Sequence, residues 1–391
     1  MILYYQMKKV NFKDIFIICF ISFFSSFVIT LFFYLFPPKT LETHVPHGLN
    51  EVVERNYDGP LYVVVAKTFY NLKTLEKINF NNLPPIYFSS HFPLLPLLIK
   101  IITYLTGNYF RSLILIAWIS SALFTVIFYL FLKKFKLTNQ PLLLSLVSLF
   151  LPPRWLAVRT VGGTESLFML ILIICLYFWL SKKYFYSLFG SIFLVLSRPP
   201  GLWCFFSFLA VTFYDYLISK NKKQTLLKII KERWALIFMP LTIVALFLFY
   251  QKCFGDFWVY FKTNSGTNIH FKNLPFAAVL GYNSPVAEGF LYLFGIYLVG
   301  IFILWKQNQK QLALFSLVYL IPNLFMQVDD IYRYLIPISP FCLIIGYQKL
   351  ILHKAFKYFF LFFLIGIYIY TLSLLPRRMF HYWDYANLRL P

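Results

Sequence analysis

The run IFIICFISFFSSFVITLFFYLF, Ile15 to Phe36, decides the fold class. No charged side chain interrupts it, and it is as long as the roughly 20 residues that carry a helix across the hydrocarbon of a bilayer. Lys8, Lys9 and Lys13 precede it, as basic residues precede the apolar core of a secretory signal. The run is long, however, and ends in Phe-Pro-Pro with no small-residue cleavage site, so it reads as an uncleaved first transmembrane helix.

Similar runs recur throughout the chain. Of 391 residues, 60% are hydrophobic, 22% aromatic and only 13% charged, with a mean hydropathy of +0.70. A membrane barrel would show ten-residue segments of alternating polarity; these runs are continuous. The expected fold is all-α, a polytopic transmembrane bundle forming one domain over residues 1–391. Eleven spans are expected near 15–36, 112–132, 141–153, 165–181, 184–197, 202–219, 234–250, 288–305, 311–326, 334–351 and 356–375. The third and fifth are shorter than a full crossing needs. Neither an internal repeat nor a soluble domain is visible.

Charge orients the bundle. With the N-terminus inside, the segments at 7–14, 133–136, 181–183, 220–233, 306–310 and 348–357 are cytoplasmic and hold 19 of the 36 basic residues. Only Asp14, Asp215 and Glu232 accompany them on that side. This matches the positive-inside rule and puts the C-terminus outside. The net charge of +22 therefore needs no nucleic acid, and no basic run has the interleaved polar surface of a nucleic-acid groove. PLLPLLIKIITYL, Pro93 to Leu105, is short and carries Lys100, so it is expected to lie on the outer leaflet. With VVVAKTFYNLKTLEKI it gives the first outer loop, about 37–111, two interfacial helices. Trp155 and Trp258 are expected as interfacial anchors.

This topology gathers Asp58, Arg154, Arg159, Glu165, Arg198, Asp256, Asp329, Asp330 and Arg333 on the extracytoplasmic side. Ionisable groups close to hydrocarbon are costly and mark function. Asp58, in RNYDGPLY, is either a solvated turn residue or a general base at the membrane surface. Thr164 and Glu165 open a helix, as cap and first-turn acid, or belong to a site that Gly162 and Gly163 let a ligand approach. Arg198 and Arg333 are headgroup anchors or phosphate ligands; Arg159 is a third candidate for the phosphate. Asp329 and Asp330 are weak candidates for a divalent cation. The histidines at 44, 47, 91, 270, 353 and 381 lack metal-ligand spacing. The five cysteines form no Cys-x-x-Cys pair, and neither a metal site nor a disulfide framework is expected.

In their order, YDGPLYVVVAKTFY, HFPLLPLLIKII, GGTESLFMLILIICLYF and LVLSRPPGLW resemble the motifs of the PIG-V-like mannosyltransferases. GDFWVYFKTN and RYLIPISPF extend the likeness more loosely to Phe341. Tyr57 stands where that family has Trp, and can still stack on a sugar. The resemblance implies a membrane glycosyltransferase of the C superfamily, with an extracytoplasmic site and a polyprenyl-phosphate-linked sugar as donor. It implies Asp58 as catalytic base, with Tyr57, Thr164, Glu165 and Asp256 toward the substrate and Arg159, Arg198 and Arg333 toward the donor phosphate. A glycan or glycolipid would be the acceptor, membrane lipids the surroundings, and no cofactor is required. Richness in Phe, Ile, Lys and Asn points to an AT-rich, bacterial genome and hence to a plasma membrane. The rival reading, a transporter or lipid-linked-sugar flippase, calls for midplane charges and an inverted repeat.

Overall fold

The computed structural model describes residues 11–36, 51–78, 83–264 and 270–379. Expectations for Lys8, Lys9, His44, His47, His381, the start of the first outer loop and the C-terminal end lie outside the described residues. The structure is 80% helical with nearly no sheet. Among the described residues, five helices are long and apolar enough to cross a membrane, or six if one sharply bent pair is a single span.

In chain order, α1 (Phe12–Leu35) starts at Asn11, whose side chain accepts from Lys13 N. The first loop contributes α2 (Gly59–Thr68) and α3 (Leu94–Thr106). Gly107 ends α3 in the left-handed conformation, which a residue without Cβ adopts freely. Asn108 then opens α4 (Tyr109–Lys134) by accepting from Phe110 N and Arg111 N at 2.9 and 3.0 Å. The short α5 (Pro141–Val147) and α6 (Pro153–Thr160) follow, and α6 meets α7 (Glu165–Leu180) at 111°. Next come α8 (Tyr184–Ser197), α9 (Gly201–Leu217) and α10 (Phe238–Phe254), the last continuing a helix that begins at Lys222. The chain closes with α11 (Val286–Lys306), α12 (Lys310–Leu324), α13 (Ile331–Leu335) and α14 (Lys354–Leu374). The strands β1 (His270–Phe271) and β2 (Met326–Gln327) pair antiparallel.

Polar contacts define two ends of the bundle. At one, Lys134 donates to Ser181, and Arg233 bridges Tyr184 and Asp215, which also accepts from Gln311. At the other, Arg333 reaches Asp58 and Glu165, and Arg154 reaches Asp330 and Tyr370. Thus α7 and α9 run away from the second end, while α8 runs toward it.

The third span, 141–153, is broken, in keeping with its short length: it contains only the seven-residue α5, because Pro152 and Pro153 interrupt the ladder. Three local expectations are corrected. The tenth expected span breaks up. The segment 331–351 is α13, a 3₁₀ turn, a π-helical turn at Pro340–Gly346 and a last helical turn. In the first loop the helix expected over 63–78 is two: α2 is buried except at Lys67 and does not lie on the surface, whereas the short helical segment Leu72–Ile78 buries only Leu75. By contrast α3 buries Leu95, Pro96 and Ile99 and exposes Leu97, Ile101, Tyr104 and Leu105. Trp155 is not an anchor: it is fully buried, edge-on to Phe124, whereas Trp258 is exposed.

Close backbone packing sets α11 against the π-helical turn. A Cβ on Gly300 would stand 2.5 Å from the Cys342 carbonyl oxygen, and one on Gly346 3.0 Å from that of Gly300. Small residues of this kind let helices in lipid gain dispersion contacts that larger side chains deny them. We expect Gly300→Val to destabilise the protein by roughly 1–3 kcal/mol, read as a lower melting temperature in detergent. Gly295→Val, with open space around its Cβ position, serves as the control.

Candidate functional site

Three distant parts of the chain meet at Arg333. Its Nη2 donates to Asp58 Oδ2 at 2.9 Å and to Glu165 Oε1 at 2.5 Å, and its Nε donates to the same Glu165 oxygen at 2.9 Å. The third nitrogen, Nη1, lies 3.9 Å from Asp330 Oδ2. Arg198 Nη1 approaches Glu165 Oε1 to 3.3 Å but makes no hydrogen bond. One buried carboxylate oxygen therefore faces two guanidiniums. Arg154 holds Asp330 through two nitrogens, one bond being 2.9 Å and the other shorter.

Local backbone explains how these groups are brought together. Tyr57 adopts a left-handed conformation with φ of 48°, which costs a non-glycine residue on the order of 1 kcal/mol. Its N–H donates to the Arg378 carbonyl at 3.1 Å, and its ring carries Arg333 at 4.6 Å and Arg154 at 5.6 Å. Such cation–π contacts help to hold the strained turn. Asp58 thereby caps α2, although its carboxylate is spent on Arg333 and makes no capping bond. Gly59 is required next: a Cβ there would come within 2.8 Å of the Gly162 carbonyl oxygen. Gly163 in turn makes room for the Glu165 carboxylate, at 2.5 Å from its would-be Cβ. The glycines thus bring the Asp58 turn against the α6–α7 bend.

These side chains line a cavity of about 990 Å³. Its polar wall includes Tyr57, Asp58, Thr164, Arg198, Asp330 and Arg333. The lining also has apolar and aromatic members, Leu202, Trp203, Ile243, Phe247, Tyr260 and Phe261. Asp58 is the open carboxylate: its side chain is 43% exposed, against 2% for Glu165. Burial opposes ionisation of Asp58, but Arg333, by its charge and its hydrogen bond, leads the neighbouring groups that outweigh burial and hold the carboxyl below the usual 3.8. Burial pushes the Tyr57 phenol well above its ordinary range.

Not every expected site residue joins this group. Arg159 is fully buried elsewhere, donating to the Leu149 and Ser22 carbonyls and to the Ser25 and Ser26 hydroxyls. It ties α6 to α1 and has no nitrogen left for a phosphate. Asp256 accepts from Trp258 N at 2.9 Å and pairs with Lys262 at 2.6 Å, outside the cavity lining. Thr164 lines the cavity but makes no side-chain cap for α7. Asp330 is taken by Arg154 and Asp329 by Arg378 at 3.0 Å. Among the described residues no group of three His, Cys, Asp or Glu could hold a metal.

Tyr334 and His91 belong to the site without having been singled out for it, and Arg154 and Asp330 join it as an ion pair, a role not expected of them. Arg154 and Asp330 had a signal, their shared side of the membrane. Chemically, the arrangement offers a half-open carboxylate beside paired guanidiniums, next to an apolar surface. No family model matches the chain, and no curated protein matches it.

Removing one partner of a buried ion pair strands the other. Glu165→Gln strips Arg198 of its carboxylate and leaves Arg333 with Asp58 as its one close ion-pair partner, and is expected to cost about 3–5 kcal/mol. Asp58→Asn, at the open side, is expected to cost far less. Melting temperatures of the two variants in the same detergent check the order.

Proposed function

We propose that this protein is a membrane glycosyltransferase, mannosyltransferase-like, that moves a sugar from a polyprenyl-phosphate donor to an acceptor hydroxyl with inversion. The observation that carries the reading is Asp58: a half-exposed, ionised carboxylate held by Arg333 in a cavity whose lining also has apolar members. A polar head and a prenyl tail need those two surfaces side by side. We also propose the eleven-crossing topology with the N-terminus inside, which puts this end of the bundle outside the plasma membrane of a bacterium. It is supported by the basic residues at the opposite end, among them Lys134, Lys183 and Arg233.

In the proposed step Asp58 Oδ takes the acceptor O–H proton as the new bond to the anomeric carbon forms. The bond from that carbon to the donor phosphate breaks, and the polyprenyl phosphate leaves with its electron pair. Charge grows on the phosphate, so cations that await it lower the barrier. All three Arg333 nitrogens already face carboxylates. Arg333 thus orients Asp58 and keeps it ionised, and Arg198, with Nη1 free of hydrogen bonds, meets the phosphate first. A flippase would place its charges at mid-membrane; the group here sits at the start of α7 and the end of α8.

Two outcomes are expected. Purified protein transfers labelled mannose from a polyprenyl phosphate to a lipid acceptor extract, and Asp58→Asn slows this by roughly 10²–10⁴-fold without loss of folded protein. Full activity in that variant removes Asp58 from the mechanism. Second, the acid limb of kcat/KM reports the free enzyme. Because the Asp58 pKa is depressed, the acid limb is expected to be centred below the usual 3.8, with activity present above it and lost as pH falls through it. An acid limb centred at pH 5 or higher contradicts an Asp58 held ionised by Arg333.

A further inference from the structure

His91 is one of the titratable rings in the cavity wall that the step above leaves unused, and unlike His270 it is buried. It follows the 3₁₀ turn Pro85–Ser90, donating its N–H to the Phe88 carbonyl and accepting from Tyr70 Oη at its own carbonyl. The backbone is therefore fixed on both sides. The ring lies edge-on to Tyr62 at 4.9 Å and tilted against Tyr87 at 5.7 Å, and the residue is 5% exposed. Yet Nδ1 is buried without a hydrogen-bond partner, and the residue lines the same cavity as Asp58.

A histidine kept only for packing would be expected to satisfy its nitrogens, since a buried polar atom left unpaired costs stability. Tyr57 Oη, Arg198 Nη1 and Asp330 Oδ2, on residues of the same lining, are likewise without hydrogen-bond partners. Four residues of one cavity lining that each carry an orphaned polar atom point to a ligand that supplies partners. The charged groups acting on the ring are Asp58, which favours its proton, and Arg333, which opposes it. Burial, aided by Arg333, outweighs Asp58 and pushes the imidazole down to about 4. At neutral pH the ring is uncharged. A neutral imidazole does not attract a phosphate, but it serves well as one side of a hydrogen bond to a hydroxyl. The surrounding Tyr62 and Tyr87 rings add faces and edges on which a sugar can pack.

We propose that His91 is a positioning residue that holds the sugar of the lipid-linked substrate through one of its hydroxyls, an assignment that rests on the transferase reading. It places the sugar against the first-loop wall, on the side of Asp58, while the phosphate lies toward Arg198. His91 is then a determinant of sugar binding and has no part in binding the lipid phosphate.

The test compares binding of decaprenyl phosphate with binding of its mannosyl and glucosyl esters to the full-length protein in detergent. The variants are His91→Phe, which keeps a ring in the aromatic cage, and His91→Asn, whose amide reaches the Nδ1 position. His91→Ser replaces the first if it does not fold. Wild type is expected to bind a sugar-bearing lipid more tightly than the bare phosphate. His91→Phe should weaken the sugar-bearing lipid about tenfold, the equivalent of one hydrogen bond, leave the bare lipid unchanged, and be partly rescued by His91→Asn. Equal losses for all lipids, or no loss for any, overturn the His91 assignment alone. A wild type that binds none of these lipids overturns the transferase reading and this assignment together.

Discussion

The Arg333 guanidinium, held between Asp58 and Glu165, is the constraint on which the rest of the site depends. It joins residues 275 and 168 positions apart in the chain. Removing a guanidinium from water costs several kcal/mol, and only a tight set of hydrogen bonds from ionised partners offsets that. Here Nε and Nη2 share one Glu165 oxygen while Nη2 also reaches Asp58. Satisfying all three contacts fixes the first-loop turn, the α6–α7 bend and α13 relative to one another. The glycines at 59, 162 and 163 follow from the same demand, since side chains there would collide with the Gly162 carbonyl, Leu113 and the Glu165 carboxylate.

Two carboxylates share this cation but differ in surroundings. Glu165 is sealed and meets both Arg333 and Arg198, so it neutralises the cationic pair from behind. Asp58 meets Arg333 from the cavity side and keeps part of its surface open. Fixed, buried and fully used, Glu165 suits a structural counter-ion. Ionised yet accessible, Asp58 suits proton transfer in the proposed reaction. Environment separates them, not residue type.

The helical class was legible because bilayer length and continuous hydrophobicity leave few other solutions. The shared side of Asp58, Glu165, Arg198 and Arg333 was also legible, from charge bias and loop parity alone. Pairing was not. Arg154 and Arg159 lie five residues apart at the two ends of α6, and nothing in their spacing says which turns to the site. The structure sends Arg154 to Asp330 and Arg159 to the serine-lined face of α1. Ser22, Ser25 and Ser26, the polar exceptions in the opening apolar run, could have signalled a buried guanidinium. His91 was passed over because spacing tests for histidines look for metals, and its environment depends on Tyr62, Tyr87 and the turn between them.

The saturation of Arg333 also orders the proposed events. An arriving phosphate finds Arg333 occupied by two carboxylates, while Arg198 has Nη1 without a hydrogen bond. Docking on Arg198 brings negative charge beside the shared cation, and so weakens the hold of Arg333 on Asp58. A carboxylate that loses part of its cation becomes a stronger base. The free site therefore keeps Asp58 ionised but weakly basic, and the donor itself raises its basicity as the acceptor hydroxyl comes to be deprotonated. Such coupling needs no moving domain. It requires only that one guanidinium be divided between a sealed carboxylate and an open one, as Arg333 is here.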